Sequence, residues 1–445
     1  MKKYSRFDSI KYALNRVEAF LEISILGFLY YYVWEHFYAG KYVNPYYYRG
    51  RILIVLLYVF ILIILLALTD GLKFGYRKFS GIIISQWVSL TICNVISYFQ
   101  IGLIYGNLVT VRWFLLLLVA DYVISFFSVL LFTSFYHRFY VPRRMLMVYS
   151  DAEKADNLKS KIETRSDKYK IESMISLGDG LETVLQELRK YDAVVIDVVP
   201  DAVRNDLLMY CFSNDISIYV VPEIPDIFIR GSMNIDLFDT PLIHPKREMT
   251  FFQGISKRLF DIVISSLAFV LLSPVFLIVS LLIKIEDGGP VFYRQVRLTK
   301  GGKRFAVLKF RSMKTNAEKD GVARLASRND DRITHIGKII RACRLDEIPQ
   351  FLNILKGDMS IVGPRPERPE IAEQYISQGI PYNLRLKVKA GLTGYAQIIG
   401  KYNTTAEDKL RLDLMYIENY SFLLDMKMLF MTLRIIFQKE STEGV

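Results

Sequence analysis

Four long apolar runs fill the first third of this 445-residue chain, at about Phe20–Trp34, Ile52–Leu68, Gly81–Leu103 and Trp113–Phe135. A bilayer core of about 30 Å needs about 20 helical residues, a length the later runs meet. Glu18 and Glu22 interrupt the first run, although its tyrosines and Trp34 suit a membrane interface. The pattern then changes. Short apolar runs at 145–149, 193–198 and 217–221 alternate with polar helical stretches around 151–164, 180–190 and 203–213, and a further strand is expected near 170–177. That alternation predicts a small parallel β-α-β-α sheet. Residues 223–255, rich in proline and polar residues, read as a linker. A fifth apolar run, Leu259–Ile285, follows, with Ser273-Pro274 near its midpoint. The stretch at 426–437, MKMLFMTLRIIF, is amphipathic and suits a membrane surface.

Charge orients these runs. Lys2, Lys3, Arg6, Lys11 and Arg16 precede the first, Lys73, Arg77 and Lys78 separate the second from the third, and Arg138, Arg143 and Arg144 follow the fourth. The opposite loops hold only Lys41, Arg49, Arg51 and Arg112. Positive-inside counting therefore puts both ends of the four-run bundle in the cytoplasm. The fifth run has basic residues on both sides: Lys246, Arg247, Lys257 and Arg258 before it, and Arg294, Arg297, Lys300, Lys303, Arg304, Lys309 and Arg311 after. Both flanks favour the same face. A mid-run proline removes a backbone hydrogen bond, each half reaches roughly 15–20 Å, about one leaflet, and the Ser273 hydroxyl can take a freed carbonyl. The expectation is a helix-break-helix that enters and leaves by one face; the alternative is a Pro-kinked spanning helix.

Composition narrows the classes. Apolar residues make up 52% and charged residues 23%, so very apolar segments must alternate with ordinary polar domains. A net charge of +12 fits nucleic acid or an anionic membrane surface. The length of the apolar runs selects the membrane and excludes nucleic acid. Cys93, Cys211 and Cys343 show no disulfide or zinc spacing, and Cys343 reads as a packing residue. The four histidines do not fall at metal-ligand spacing. No cleavable signal is expected, because no small-residue cleavage site follows the first run.

The chemistry concentrates in residues 341–367, RACRLDEIPQFLNILKGDMSIVGPRPE. The pattern places Asp346-Glu347 inside an amphipathic helix that ends at Lys356-Gly357-Asp358, with a rigid Gly363-Pro364-Arg365-Pro366 turn beyond. By itself an Asp-Glu pair is usually a solvated face. Framed by Arg341, Arg344, Lys356 and Arg365, the pair has what a site needs to hold a metal and a phosphate together. Adjacent helical residues diverge by about 100°, so the two carboxylates would do different jobs. Arg365 could instead pair with Glu367 or Glu370. In the middle region, Tyr149-Ser150-Asp151-Ala152 stands where a dinucleotide fold wants glycines, and Gly178-Asp179-Gly180 reads as a turn into a helix.

LDEIPQ and LNILKGDMSIVGPRPE closely resemble the bacterial sugar transferase family, the monotopic-type phosphoglycosyl transferases. The resemblance covers roughly residues 255–440. KRLFDIVISSLAFVLLSPVFLIVSLLIKI is similar to the family's re-entrant membrane helix with its Ser273-Pro274 break, and FAVLKFRSM to its Lys-Phe-Arg-x-Met stretch. LKVKAGLTGYAQIIGKYNTTAEDKLRLDLMYIENYSFLLDMKML resembles the closing block, with Tyr395 where Trp is common and Ile399-Gly400-Lys401 where Asn-Gly-Arg is common.

The resemblance implies a membrane α-helical bundle (1–140), a degenerate α/β Rossmann-like domain (141–245), and an α-rich (α/β) phosphoglycosyl transferase domain (246–445) with a re-entrant helix at 259–285. It implies transfer of a sugar-1-phosphate from a nucleotide sugar, with UDP-hexose favoured, to undecaprenyl phosphate. This is the initiating step of exopolysaccharide, capsule or O-antigen synthesis. Asp346 matches the nucleophile that forms a phosphosugar intermediate, Glu347 its Mg²⁺-binding partner, and Arg341 a phosphate-contacting arginine. Arg365 matches a turn near the nucleotide, and Lys309 and Arg311 basic residues for the anionic substrates. Asp413 and Asp425 match acidic positions, with Lys409, Arg411 or Lys427 as alternative partners. The expected location is a bacterial inner membrane with the catalytic domain on the cytoplasmic face. Sugar identity and homodimerisation stay open. An anchored nucleotide-sugar dehydratase or epimerase would need a Gly-rich dinucleotide turn and a Tyr-x-x-x-Lys pair, and neither is found. A chain-length regulator would need a large outside domain, but the outside loops are short.

Overall fold

The computed structural model describes residues 3–39, 48–75, 77–139, 142–237, 240–245, 249–314, 330, 332–400 and 404–436. Lys2, Lys41, Lys246, Arg247 and Lys401 lie outside the described residues. The chain divides into two compact units, Met1–Glu223 and Ile224–Val445.

In the first unit, α1 (Lys3–Phe37), α2 (Tyr48–Leu68), α3 (Phe79–Tyr105) and α4 (Arg112–Phe139) each contain a segment long and apolar enough to cross a membrane. Their outer faces expose Leu53, Phe60, Leu116 and Leu131, while polar side chains turn inward. Glu22 accepts from Gln86 Nε2 at 3.0 Å, Thr69 and Ser89 share a hydrogen bond of 2.9 Å, and Asn94 donates to Asp121 at 2.8 Å. The glutamates that weaken the first run as a membrane segment are thus hydrogen-bonded inside the bundle: Ser128 donates to Glu18 at 2.6 Å. Bonds of this kind contribute roughly 0.6 kcal/mol each between membrane helices.

The chain then forms β1 (Arg143–Tyr149), α5 (Ala152–Glu163), β2 (Tyr169–Ser176), α6 (Leu181–Leu188), β3 (Ala193–Ile196), α7 (Asp201–Ser213) and β4 (Ser217–Val220). The sheet order is β2-β1-β3-β4, parallel throughout. Alternation along β1 and β3 serves two cores. Leu146, Val148, Val194 and Ile196 pack with Val184, Leu188 and Leu207 of α6 and α7. Met145, Met147, Ala193 and Val195 pack with Ala155 of α5 on the other face. The Asp151 carboxylate accepts from the amides of Glu153 and Lys154 at the start of α5, the groups a bound phosphate would otherwise take. Gly180, at φ +89°, forms the expected turn into α6.

The second unit begins within the segment read as a linker. α8 (Ile224–Arg230) and the antiparallel pair β5 (Met233–Leu237) and β6 (Thr240–His244) occupy it. The linker reading is therefore corrected: Ile227 is buried against Leu410 and Leu414, an anchor hidden among the prolines. Next comes α9 (Phe251–Asp287), opened by a Thr250–Gln253 capping box and closed by Gly288 at φ +70°. The expected division into two helices is not seen, since α9 runs through Pro274 as one helix. Ser273 Oγ donates to Val270 O at 2.8 Å, the carbonyl that Pro274 leaves without an amide, so the ladder is mended at the proline.

The remaining elements are a hairpin of β7 (Phe292–Leu298) and β8 (Arg304–Phe310), α10 (His335–Ala342), α11 (Gln350–Lys356), β9 (Ser360–Val362), α12 (Pro369–Ser377), β10 (Gly391–Thr393), α13 (Tyr395–Ile399), α14 (Ala406–Glu418) and α15 (Phe422–Ile436). β9 and β10 pair in parallel, and glycines permit the approach: a Cβ on Gly391 would lie 2.1 Å from Gly363 N. One face of α15 packs into the unit through Met428, Met431 and Ile435, while Phe422, Leu423 and Leu433 remain exposed.

The first half of α9 is tied to this unit by buried charge. Lys257 Nζ donates to Asp425 Oδ2 at 2.7 Å, to Val362 O at 2.9 Å and to Tyr416 OH at 3.0 Å. One turn on, Asp261 Oδ1 accepts from Ser360 Oγ and Ile361 N, both at 2.9 Å. Asp425 is thus partnered by Lys257, not by Lys427. Removing one member of such a pair leaves the other charge buried, at a cost of about 3–5 kcal/mol, whereas exchanging both for apolar groups is often near neutral. Asp425→Ala is expected to lower the thermal unfolding midpoint of the detergent-purified protein by several degrees, and Lys257→Met/Asp425→Leu by clearly less. Equal losses in a thermal-shift assay would remove the ion pair as the tie.

Candidate active site

Asp346 and Glu347 lie in a 3-10 turn, Leu345–Glu347, between α10 and α11, and not inside an α-helix. Two local features force this correction. Arg344 sits at φ 54°, in the left-handed region, and reverses the chain after α10. Pro349 has no amide to return to the Leu345 carbonyl, which instead accepts from Ile348 N in a 3-10 bond of 3.2 Å. Successive side chains in a 3-10 turn diverge by about 120°, so the two carboxylates are separated more strongly than on an α-helix.

The cations arrive from two other elements. Lys309, on β8, places Nζ 2.9 Å from Glu347 Oε1 and 3.7 Å from Asp346 Oδ2. Arg365, in the Gly-Pro-Arg-Pro turn, donates from Nη2 to Glu347 Oε1 at 3.0 Å. Arg365 therefore pairs with Glu347, not with Glu367 or Glu370; Glu367 lies 3.7 Å from Arg297. The frame around these groups is stiff. Asn353 on α11 takes the Leu308 amide at 2.9 Å and gives to Ala306 O at 2.8 Å, stapling the helix after the acidic turn to the strand that carries Lys309. Arg365 O accepts from Arg385 Nη2 at 2.9 Å, and Gly391 N bonds Pro364 O at 2.8 Å. Asp413 holds Arg385 at 2.6 Å, in place of the expected Lys409 or Arg411. Burial pushes the Asp413 carboxyl up to about 6 even with Arg385 beside it.

The two carboxylates are driven apart electrostatically. Burial disfavours ionised Glu347, but Arg365 and Lys309 outweigh it and hold its carboxyl well below the usual range. Burial pushes Asp346 the other way, above the usual range; Lys309 opposes the shift and the Glu347 charge adds to it. Arg341, on α10, makes no ion pair with either carboxylate among the described residues, but its charge also favours ionised Asp346. Arg311 sits apart from the acidic turn, paired with Asp287 at the end of α9. Glu286 beside it accepts from the amides of His335 and Ile336, capping α10. Cys343 is exposed, so it does not serve as a packing residue. Sequence reasoning passed over Lys257, Asp261, Asn353 and Arg385, which position the site. A signal existed for the first two, charges four apart at the edge of an apolar run.

Hard oxygen donors in this number suit Mg²⁺, which takes one or two carboxylates and completes its shell with water and substrate phosphates. Both cation contacts fall on Glu347 Oε1, so Oε2 stays outside them. Among the described residues no group of three or more His, Cys, Asp or Glu side chains forms a metal cluster.

Comparison with known proteins places the chain in a family. The model of the bacterial sugar transferase family matches residues 252–439. The chain is 39% identical over 194 residues to exopolysaccharide production protein ExoY of Sinorhizobium fredii, covering 40% of this chain and 84% of that protein. The chain belongs to the bacterial sugar transferase family. A UDP-N-acetylgalactosamine-undecaprenyl-phosphate N-acetylgalactosaminephosphotransferase of Aeromonas hydrophila is 38% identical over 253 residues, 56% of this chain and 59% of that protein. A UDP-glucose:undecaprenyl-phosphate glucose-1-phosphate transferase of Escherichia coli is 41% identical over 225 residues, 47% of each chain. The chain thus spans about half the length of these last two relatives.

The opposed shifts have opposite consequences for stability. Glu347, with its pKa depressed, contributes stability that is present above the ordinary glutamate pKa and lost only as pH falls through its folded value. Asp346, with its pKa raised, contributes in acid and loses that contribution as pH rises through its folded value. Near neutrality Glu347→Gln is expected to cost about 1–3 kcal/mol, while Asp346→Asn leaves the unfolding midpoint unchanged or higher, by a margin that grows as pH rises above the ordinary aspartate pKa. Equal losses for both variants above that pKa would contradict the division.

Proposed function

We propose that this protein transfers a sugar-1-phosphate from a nucleotide sugar, with a UDP-hexose as the expected donor, to undecaprenyl phosphate. The reaction would run at the cytoplasmic face of a bacterial inner membrane and start the assembly of an exopolysaccharide, capsule or O-antigen. The observation that carries this reading is the unequal treatment of two neighbouring carboxylates. Glu347 is clamped by Lys309 and Arg365, while Asp346, equally shielded from water, has its nearest cation at 3.7 Å. A carboxylate of raised pKa is the more basic one and the better nucleophile.

In this mechanism Asp346 Oδ attacks the sugar-proximal phosphorus of the donor. The bond to the bridging oxygen breaks and nucleoside monophosphate (UMP for a UDP donor) leaves, with the sugar phosphate on the aspartyl oxygen. A phosphate oxygen of the polyprenyl acceptor then attacks the same phosphorus, releases the Asp346 carboxylate and forms the diphosphate. Lys309 and Arg365 lower the repulsion between the anionic nucleophile and the phosphoryl oxygens, and Arg341 lies on the adjoining helix to contact phosphate. Glu347, with Asp346 beside it, would hold Mg²⁺. When bound, that ion supplies further charge neutralisation at the transferring group.

The same reading places α9 as a re-entrant element. Its first half is held through Lys257, Phe260 and Asp261, and its last turns through Val279 and Ile283, to one compact unit, while no residue from 266 to 278 is buried. Two ends held by one compact unit belong on one side of a bilayer. Cysteines placed at Ser256 and Lys303 are expected to resist an impermeant reagent on intact cells; external labelling at either position would overturn the re-entrant arrangement.

The covalent step has a direct test. Donor carrying ³²P in the sugar-proximal phosphate is expected to label the protein, and undecaprenyl phosphate to discharge the label. Asp346→Asn should abolish labelling in a folded protein, Glu347→Gln should slow it by two or more orders of magnitude, and chelation of Mg²⁺ should silence both half-reactions. Wild-type labelling of Asp346→Asn would assign the nucleophile to another residue.

A further inference from the structure

A second cationic site lies on the catalytic unit, away from the acidic turn. A cavity of about 170 Å³ is walled by the first turns of α9, the segment before β10 and the end of α14. Lys257, Arg258, Lys300, Lys387 and Lys389 line it, against Asp261 and Glu418 alone. None of Lys309, Arg341, Asp346, Glu347 or Arg365 reaches it.

Much of this charge is committed elsewhere. Lys257 is spent on Asp425, and Arg258 donates from both terminal nitrogens to Ile354 O and Leu355 O at 2.7 Å. Lys387 reaches Glu418 only at 4.0 Å. Lys300 and Lys389 make no ion pair among the described residues. Burial, and the positive charges of Arg258 and Lys300 facing it, hold the Lys389 ammonium below its ordinary pKa, although Asp261 and Asp358 act in the opposite sense. The Tyr420 side chain, 3% exposed, also lines the cavity. Ammonium groups without counter-ions gathered on one cavity are the complement of an anionic oxygen cluster.

The cavity's position on α9 indicates what brings that anion. Gly254, Arg258 and Asp261 form the stripe that faces the cavity. One residue further round, Ile255, Leu259 and Ile262 are exposed, with Phe251 and Phe252 beside them. An occupant with a phosphate in the cavity would therefore lay apolar chains on the adjoining face of the membrane helix. We propose that this cavity holds the phosphate of an anionic membrane phospholipid and so seats the catalytic unit at the depth of the lipid headgroups. The site is distinct from the centre that handles donor and acceptor, because its lining shares no residue with the acidic turn or its cations.

The test uses the full chain in detergent, with native mass spectrometry of lipid adducts. Wild-type protein is expected to retain phosphatidylglycerol over phosphatidylcholine by at least fivefold, and Lys300→Gln/Lys389→Gln to lose that preference. Neutralising these two lysines relieves mutual repulsion, so the unfolding midpoint of the variant should not fall. Covalent loading from labelled nucleotide sugar should be unchanged in the variant, which separates this site from the proposed catalytic reading: failure of the loading reaction in wild type leaves the lipid preference standing. Equal retention of the two lipids by wild type, or an undiminished preference in the double variant, would overturn the proposal. So would displacement of phosphatidylglycerol by millimolar inorganic phosphate, which would make this a soluble-phosphate site, or by one equivalent of undecaprenyl phosphate, which would make it the acceptor's own.

Discussion

One carboxylate oxygen organises the catalytic unit. Glu347 Oε1 is shared by Lys309 from a strand and Arg365 from a proline-flanked turn, so three pieces of chain far apart in sequence converge on one atom. Together the two cations outweigh the burial of this carboxylate and hold its pKa well below the usual range. The charge that results acts next on Asp346, one residue away and buried, and helps keep that neighbour above its usual pKa. Neither carboxylate has its properties alone, because each is set by what surrounds the other. Sites of this kind are locally unfavourable and are held together by their supports, here the Asn353 staple, the Arg385–Asp413 pair behind the Pro-Arg-Pro turn and the glycine contact between β9 and β10.

How much of this could be read from the chain depended on the range of the interaction. Parallel β-α alternation in 143–220 was legible because short continuous apolar runs, separated by polar helices, have few other meanings; the strands observed lie within a few residues of the expected ones. The acidic pair and the basic residues around it were legible as a motif. Its conformation was not, since two single residues, a left-handed Arg344 and an amide-less Pro349, convert an amphipathic period into a 3-10 turn. Partner choice was least legible. Glu367, Glu370, Lys409, Arg411 and Lys427 are near in sequence to Arg365, Asp413 and Asp425, but the partners that form are 18, 28 and 168 residues away. Local pairs contribute a few tenths of a kcal/mol on an exposed surface, too little to compete with buried pairs that also close the tertiary fold.

The long apolar helix of the catalytic unit shows the same logic at membrane scale. By hydropathy Leu259–Ile285 resembles a spanning segment, and its backbone is continuous through Pro274 because Ser273 supplies the missing donor at Val270. What separates it from the four helices of the first unit is what it binds. Those helices satisfy one another through Glu22–Gln86, Thr69–Ser89 and Asn94–Asp121, contacts made inside an apolar bundle. α9 instead carries Lys257 and Asp261 on a face committed to strands and helices of a polar domain. The charges buried in its first turns are satisfied only by that domain, and exposing an ammonium and a carboxylate to hydrocarbon would cost several kcal/mol for each charge. The polar minority of this helix therefore fixes its first turns to the catalytic unit, while the apolar majority leaves the middle of the helix exposed.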